Sequence, residues 1–296
     1  MSLVINHNMM ALNAQRNLSS SYSNLATSVR RLSSGLRVGT AADDAAGLAI
    51  RELMRADIAA LNQGVRNAND AISMIQTADG ALQVIDEKLI RLKELAEQAA
   101  TGTYNSDQRM MLESEYQAMA SEITRIANAT DFNGVYLLNG NLSGAHNGEG
   151  LNSTGEMKIH FGTGNDSSED YYYIKMGIAT ASALGLGNQS DISTAGYTIS
   201  TQGQAQRSLE AINQAIISKD KIRAALGAMQ NRLENTVSNL QIQAENIQAA
   251  ESQISDVDVA SEMTEFVRYQ LLSQAGVAML AQANSLPRMA LQLLQG

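Results

Sequence analysis

The sequence predicts a mainly α fold: an elongated rod of long antiparallel coiled-coil helices with a small β-hairpin region. Three observations predict it. Apolar residues recur at seven-residue helical spacing toward both ends of the 296-residue chain. A single proline, Pro287, leaves room for long uninterrupted helices. Gly, Ser, Thr and Asn become dense from Asn139 to about Ser200, and the β-prone strings fall there.

In chain order, Leu18, Tyr22, Leu25, Val29 and Leu32 are spaced as a heptad seam on one face of a first helix. Gly35 and Gly39 then let the backbone leave the helix. Asp43 or Asp44 sits near the start of the next helix, where the dipole favours negative charge. A second seam runs through Leu61, Val65, Ala68, Ile72 and Ile75. It breaks near Asp79 and resumes at Leu82, Ile85, Leu89, Leu92, Ala96 and Ala99. "TGTYNSDQ" (101–108) reads as a turn, with Ser106 or Asp107 capping a third helix that runs to about Asn128. "DFNG" and "LLNG" carry the Asn-Gly turn signal.

"MKIHF" alternates Met157, Ile159 and Phe161 on one face, and "YYYIKM" (171–176) is also β-prone, so the two can close an irregular hairpin. Leu226, Leu233, Leu240, Ile247 and Ile254 are each seven apart, which implies a left-handed coiled-coil seam on a helix from about 206 to 253. Such a helix is roughly 70 Å long, against a diameter near 50 Å (about) for a compact globule of this size; hence the rod. "ISDVDVASEM" (254–263) breaks the seam. A last helix follows, with Met263, Phe266, Val267, Leu271 and Val277, which Pro287 ends or bends. Antiparallel pairing of the two chain ends is the economical arrangement.

Composition excludes several function classes. Net charge is -9 and pI about 4.9, without the basic field of a nucleic-acid binder. The absence of cysteine removes disulfides, thiolate nucleophiles and zinc-thiolate sites. The chain has no tryptophan and three phenylalanines, few large rings for an enzyme core. No apolar run is long enough to span a membrane, and "MSLVINHNMM" lacks the plan of a secretory signal. There is no phosphate-loop motif, and Gly185 and Gly187 in "LGLGNQS" follow no valine-rich strand. His7, His146 and His160 lie in separate segments. Asp166, Glu169 and Asp170 do not match calcium-loop spacing and read as a solvated loop. No serine has a histidine partner nearby. Catalytic, cofactor-binding and metal-ligating residues are therefore expected to be none, and the chain is not expected to be an enzyme. The sequons at Asn141, Asn152 and Asn188 are chance-level matches in an Asn- and Ser-rich chain. The Ser/Thr-rich insert offers hydroxyls for O-linked sugar.

The terminal segments carry more information. Two amphipathic helices alone bury little area, and each ordered residue costs about 1–2 kcal/mol of conformational entropy. Two arrangements stay open from the residues alone. Neighbouring copies supply the missing burial and the ends fold on assembly, or the ends pack on the rod as an ordinary bundle.

Several motifs together resemble the bacterial flagellin family: "RLSSGLRV" (31–38), "DDAAGLAI" (43–50), "DFNG" (131–134), "ISDVDVASEM" (254–263) and "NSLPRMALQLLQ" (284–295). They stand at both ends in the family's order, and the resemblance covers roughly 1–140 and 205–296. The insert between is short, so the chain looks like a small flagellin without large outer domains. The hook-filament junction protein of the same organelle, with similar ends, is the alternative.

The resemblance implies a subunit that self-assembles into the flagellar filament for swimming motility, exported through the flagellar type III apparatus to the cell exterior. It implies that 1–33 and 263–296 pair as a helical inner domain lining the channel, joined by connectors at 34–46 and 256–262. Residues 47–139 and 201–255 would be rod helices, and 140–200 a short hairpin or variable region. Leu18, Leu25, Leu32, Gly35, Asp43, Phe266 and Leu271 are expected at subunit interfaces. The implied partners are other copies of the chain, an export chaperone binding about 263–296, the filament cap, and hook-filament junction proteins. No nucleic acid and no membrane insertion are expected. A further implied partner is the animal Toll-like flagellin receptor, whose matching contacts here are Arg91, Leu95 and Glu115. Ile90 and Glu97 depart from the commonest receptor-active pattern, and Arg91 and Glu115 also suit subunit contacts.

Overall fold

The computed structural model describes residues 8–146, 155–167, 169–187 and 196–295. His7 and the sequons at Asn152 and Asn188 lie outside them. The described chain forms five helices, α1 (Met9–Ser34), α2 (Ala45–Ala100), α3 (Ser106–Ala129), α4 (Gln202–Ser255) and α5 (Val259–Gln295). Two antiparallel strand pairs lie between α3 and α4: β1 (Asp131–Phe132) with β2 (Val135–Tyr136), and β3 (Met157–His160) with β4 (Tyr171–Ile174). The chain makes two compact units, a terminal one that extends to Ile58 and resumes at Glu245, and a central one from Ala59 to Ala244.

The central unit is built on an unbroken apolar grid. Leu61, Ala68, Ile75, Leu82, Leu89 and Ala96 recur every seven residues on α2, and all are buried. The break expected near Asp79 does not exist, because Ala78 continues the buried row beside it. On α4 the buried positions Leu226, Leu233 and Leu240 extend back on the same spacing through Lys219, Ile212 and Ala205. Helix α3 runs antiparallel to α2, since Arg91 bonds Glu115 while Arg109 Nε donates to the Ala99 carbonyl. Its cap is Asn105 rather than Ser106 or Asp107. The Asn105 side chain accepts from the Gln108 N–H while the Gln108 side chain accepts from the Asn105 N–H, a reciprocal capping box.

Asp79, which looked like a break, is an anchor. Arg223 Nε donates to its carboxylate at 2.7 Å, and Arg223 lies on α4. That bond, with a smaller one from Gln83, holds the Asp79 carboxyl below its ordinary value against the opposing effect of burial. A depressed folded-state pKa stabilises fully above the ordinary aspartate value and is lost as pH falls through the folded one. Asp79→Asn should therefore lower the melting temperature at neutral pH and flatten its fall on acidification. Thermal melts through the acid range test this, and wild-type and variant curves that stay parallel would overturn it.

Between α3 and α4 the chain turns tightly. Asn133 and Gly134 have φ of 52° and 80°, the two left-handed positions a two-residue β1–β2 hairpin demands. The sequence marked this turn but not the short ladder that flanks it. The β3–β4 pairing matches the expected hairpin, with Met157 opposite Ile174 and His160 opposite Tyr171. The connection between the two strands is organised by Asp170, whose carboxylate accepts from the Asp166 N–H at 2.7 Å and the Gly164 N–H at 3.3 Å. The Phe161 carbonyl comes so close to α2 that a Cβ at Gly64 would stand 2.0 Å from it. Asn67 one turn on donates to the His160 carbonyl at 2.8 Å, which locks the hairpin to the helix. Tyr116, wholly buried, donates to the Gly196 carbonyl at 2.6 Å. Burial pushes its hydroxyl up from the ordinary tyrosine value.

In the terminal unit, α5 continues through Pro287 to Gln295, so the proline does not end the helix. A proline lacks one N–H and crowds one carbonyl, a local cost that a long helix can absorb.

Candidate functional site

The candidate site is the terminal unit. Helices α1 and α5 pack against each other and run antiparallel. Asn8 Nδ2 donates to the Ala283 carbonyl at 2.7 Å, Leu18 lies over Gly276, and Arg31 approaches Glu262 at 3.5 Å. Asn8 also caps α1, its side chain accepting from the Ala11 N–H.

The packed face of α1 differs in one respect from the expected seam. Leu18, Leu25 and Leu32 are on it, half-buried, but the positions between them are Ser21 and Ser28. Tyr22 and Val29 stand one residue aside and are exposed. On α5, Phe266 is half-buried, together with Tyr269, Gly276 and Leu280, while Leu271 is 61% exposed and faces away from α1. The small residues on the inner faces let the two helices approach. A Cβ at Gly276 would stand 3.0 Å from the Leu18 Cδ1.

The consequence is an inverted distribution of apolar surface. Among described side chains of α1 and α5, the buried ones are the small Ser28, Ser273 and Ala283. The large ones lie outside: Met9, Leu12, Tyr22, Val267, Leu272 and Val277 are all exposed, and most of the exposed large apolar side chains among the described residues belong to this unit. An apolar face of that extent marks an interaction surface.

The connectors explain Gly35 and Asp43. Gly35 closes α1 in the left-handed region, φ 73°, its N–H donating to the Arg31 carbonyl at 2.8 Å. Its own carbonyl accepts from the Val257 N–H at 3.0 Å, and Leu36 bridges Asp256, so the α1–α2 connector pairs with the α4–α5 connector. Arg37 and Val38 N–H groups both donate to the Ser255 carbonyl, and the Arg51 guanidinium donates to the Val38 carbonyl. Gly39 is not left-handed, so the departure from helix rests on Gly35. The two aspartates divide the work. Asp44 caps α2 through the Gly47 N–H at 2.9 Å. Asp43 binds the Thr40 hydroxyl and N–H and takes Arg30 Nη2 at 2.6 Å. The Thr40 bonds first, and the Arg30 guanidinium with them, hold the Asp43 carboxyl below its ordinary value.

In the central unit, Arg91 and Glu115 come together. Arg91 donates to Glu115 Oε1 through Nε at 2.9 Å and Nη2 at 2.7 Å, and to Glu94 at 3.0 Å. The sequence reading missed Glu94, although its i,i+3 spacing from Arg91 was a signal. Those carboxylates, Glu115 foremost, raise the guanidinium above its ordinary value. Leu95 is a correction. It is wholly buried with Leu92 and Ala99 in the core and offers no surface to a receptor of the folded chain. Among the described residues no three histidine, aspartate or glutamate side chains gather as metal ligands would.

Against known proteins, residues 5–143 match the family model for the bacterial flagellin N-terminal helical region, and residues 209–294 the model for the bacterial flagellin C-terminal helical region. Flagellin FlaB2 of Treponema pallidum (strain Nichols) is 40% identical over 293 residues, covering 99% of this chain and all of that protein. Flagellin of Bacillus subtilis (strain 168) is 41% identical over 98% of this chain and 99% of its own length. Among solved structures, Bacillus cereus flagellin is 30% identical, covers 63% of this chain and 94% of its own, and has a TM-score of 0.46.

Proposed function

The chain belongs to the bacterial flagellin family and is a structural subunit of the flagellar filament at the cell exterior, and on that premise we propose that its terminal helix pair is the polymerisation element. The observation that carries this is the exposed apolar face of α1 and α5, around an interface that buries small residues alone. A heterologous contact that does not close propagates as a helical filament. Burial of Val267, Leu271, Leu272 and Val277 against neighbouring copies supplies what the isolated pair lacks. On this reading the ends gain their stability in the polymer, line its channel, and leave the central unit to form the surrounding layer.

The same reading includes export through the flagellar type III apparatus, with a chaperone holding the apolar C-terminal helix before assembly, and contacts with the filament cap and hook-filament junction proteins. The chain has no catalytic role in it. Recognition by a Toll-like flagellin receptor would rest on Arg91 and Glu115, which are accessible, with Leu95 supporting them from beneath. The junction-protein alternative is not favoured, because relatives about 40% identical along their whole length are named flagellins.

Purified protein induced to assemble should elongate into helical filaments of uniform width under the electron microscope, with no second protein added. A chain that stays monomeric with folded ends under every assembly condition would remove the reading. One that caps filaments without elongating them would favour the junction role instead.

A further inference from the structure

Five of the seven exposed methionines among the described residues belong to the terminal unit. In the terminal unit Met9, Met10, Met263, Met279 and Met289 are 58, 51, 44, 63 and 47% exposed. In the central unit Met74 and Met176 are sealed in the core at 2 and 0%. Met10 and Met279 line one open groove of about 510 Å³ between α1 and α5, with Leu18, Leu272 and Gly276. Asn13, Asn17 and Gln282 stand at the same groove, so its lining is mixed.

We propose that these five thioethers are a peroxide-oxidised modification site that switches the unassembled subunit out of polymerisation. The inference rests on the terminal pair being the polymerisation element. The sulfur lone pair attacks one oxygen of hydrogen peroxide. The O–O bond breaks and an S–O bond forms, while the second oxygen leaves as hydroxide and is protonated to water. Sulfur loses two electrons and peroxide gains them. The product sulfoxide is a strong acceptor on what was a flexible apolar side chain. Burying that acceptor against the apolar surface of a neighbouring copy costs more desolvation than burying a thioether, which opposes the contact. The step is reversible, because methionine sulfoxide reductases remove the oxygen with two electrons from a thiol. Once the polymer covers the thioethers, peroxide no longer reaches them, so the switch acts before assembly and not after.

The central unit supplies internal comparators. Met110 and Met111 on α3 are 61 and 72% exposed and will oxidise as readily, yet lie outside the terminal unit. Met74 and Met176 will stay reduced while that unit is folded.

The test uses the full chain. Free subunit is treated with hydrogen peroxide, its sulfoxides are mapped by peptide mass spectrometry, and assembly is read by sedimentation. The expected result is sulfoxide at the five terminal methionines, loss of sedimentable polymer, unchanged helical signal from the central unit, and recovery of polymer after a methionine sulfoxide reductase. A variant carrying Met9→Leu, Met10→Leu, Met263→Leu, Met279→Leu and Met289→Leu, with Met110 and Met111 kept, should polymerise after the same treatment. Oxidised wild type that polymerises like untreated protein overturns the proposal, as does reductase treatment that removes the sulfoxides without restoring polymer. The reductase arm needs no substitution, so it decides even where the leucine variant assembles poorly. Untreated wild type that never polymerises would instead fail the functional reading beneath it.

Discussion

Deleting Met1–Leu32 should abolish polymerisation and leave the central unit folded. The two halves of that expectation come from different residues. Polymer is lost because α1 supplies Leu18, Leu25 and Leu32, the half-buried side of the terminal pair, and without them α5 has no partner in its own chain. An unpaired α5 loses its main support, since most helical stability comes from packing an amphipathic face. The central unit survives because its buried cluster extends from Ala68 to Leu233 and takes nothing from the deleted segment. Sedimentation should find no polymer under conditions that pellet the full chain. Circular dichroism should lose helix in proportion to the ends and keep the cooperative melt of the centre. Filaments formed by the truncated chain would mean that the ends are not the assembly element.

The helices were legible because seven-residue spacing survives in a single sequence when the seam is apolar, as at Leu226, Leu233 and Leu240. The faces were less legible. On α1 the inner positions between the leucines are the half-buried Ser21 and the buried Ser28, whereas the apolar residues of the pattern, Tyr22 and Val29, stand one place along. Leu271 is exposed in the single chain for a related reason: an assembling helix is apolar on more faces than its own chain covers. Leu95 was a different error, since its spacing of three from Leu92 and four to Ala99 already put it in the seam that the sequence showed. The division of labour between Asp43 and Asp44 was beyond the sequence, because either residue suits a helix start and only the position of Arg30 across the connector separates them. Asp79 looked like a break because its partner Arg223 is 144 residues away.

Lys219 takes that last point further. It occupies the seven-residue seam of α4 at 2% side-chain exposure, where every neighbour on the grid is apolar. Its stem fills the seam while the ammonium reaches Asp86 on α2 at 2.5 Å and Asp220 at 2.7 Å. Burial opposes its charge, but the bonds to Asp220 and Asp86 outweigh this and raise the ammonium above its ordinary lysine value. A single polar residue at a seam position fixes register, because sliding the helices would strand the charge among leucines. Removing the anions and removing the cation should therefore have opposite consequences. Asp86→Asn with Asp220→Asn strands the charge and should cost about 2–3 kcal/mol; this lies below a fully buried broken pair because both carboxylates stand at the rim, partly in water. Adding Lys219→Met keeps the stem, removes the charge and should recover most of that loss. The register argument separates the triple variant from wild type in another way. With the lysine gone, α4 loses one of its two polar ties to α2, the other being Arg223 to Asp79, so disulfide trapping between cysteines placed across α2 and α4 should capture shifted pairings that wild type never shows. Chemical denaturation supplies the stability differences. A double asparagine variant as stable as wild type, or a methionine rescue that recovers nothing, would make Lys219 an ordinary surface cation with a buried stem.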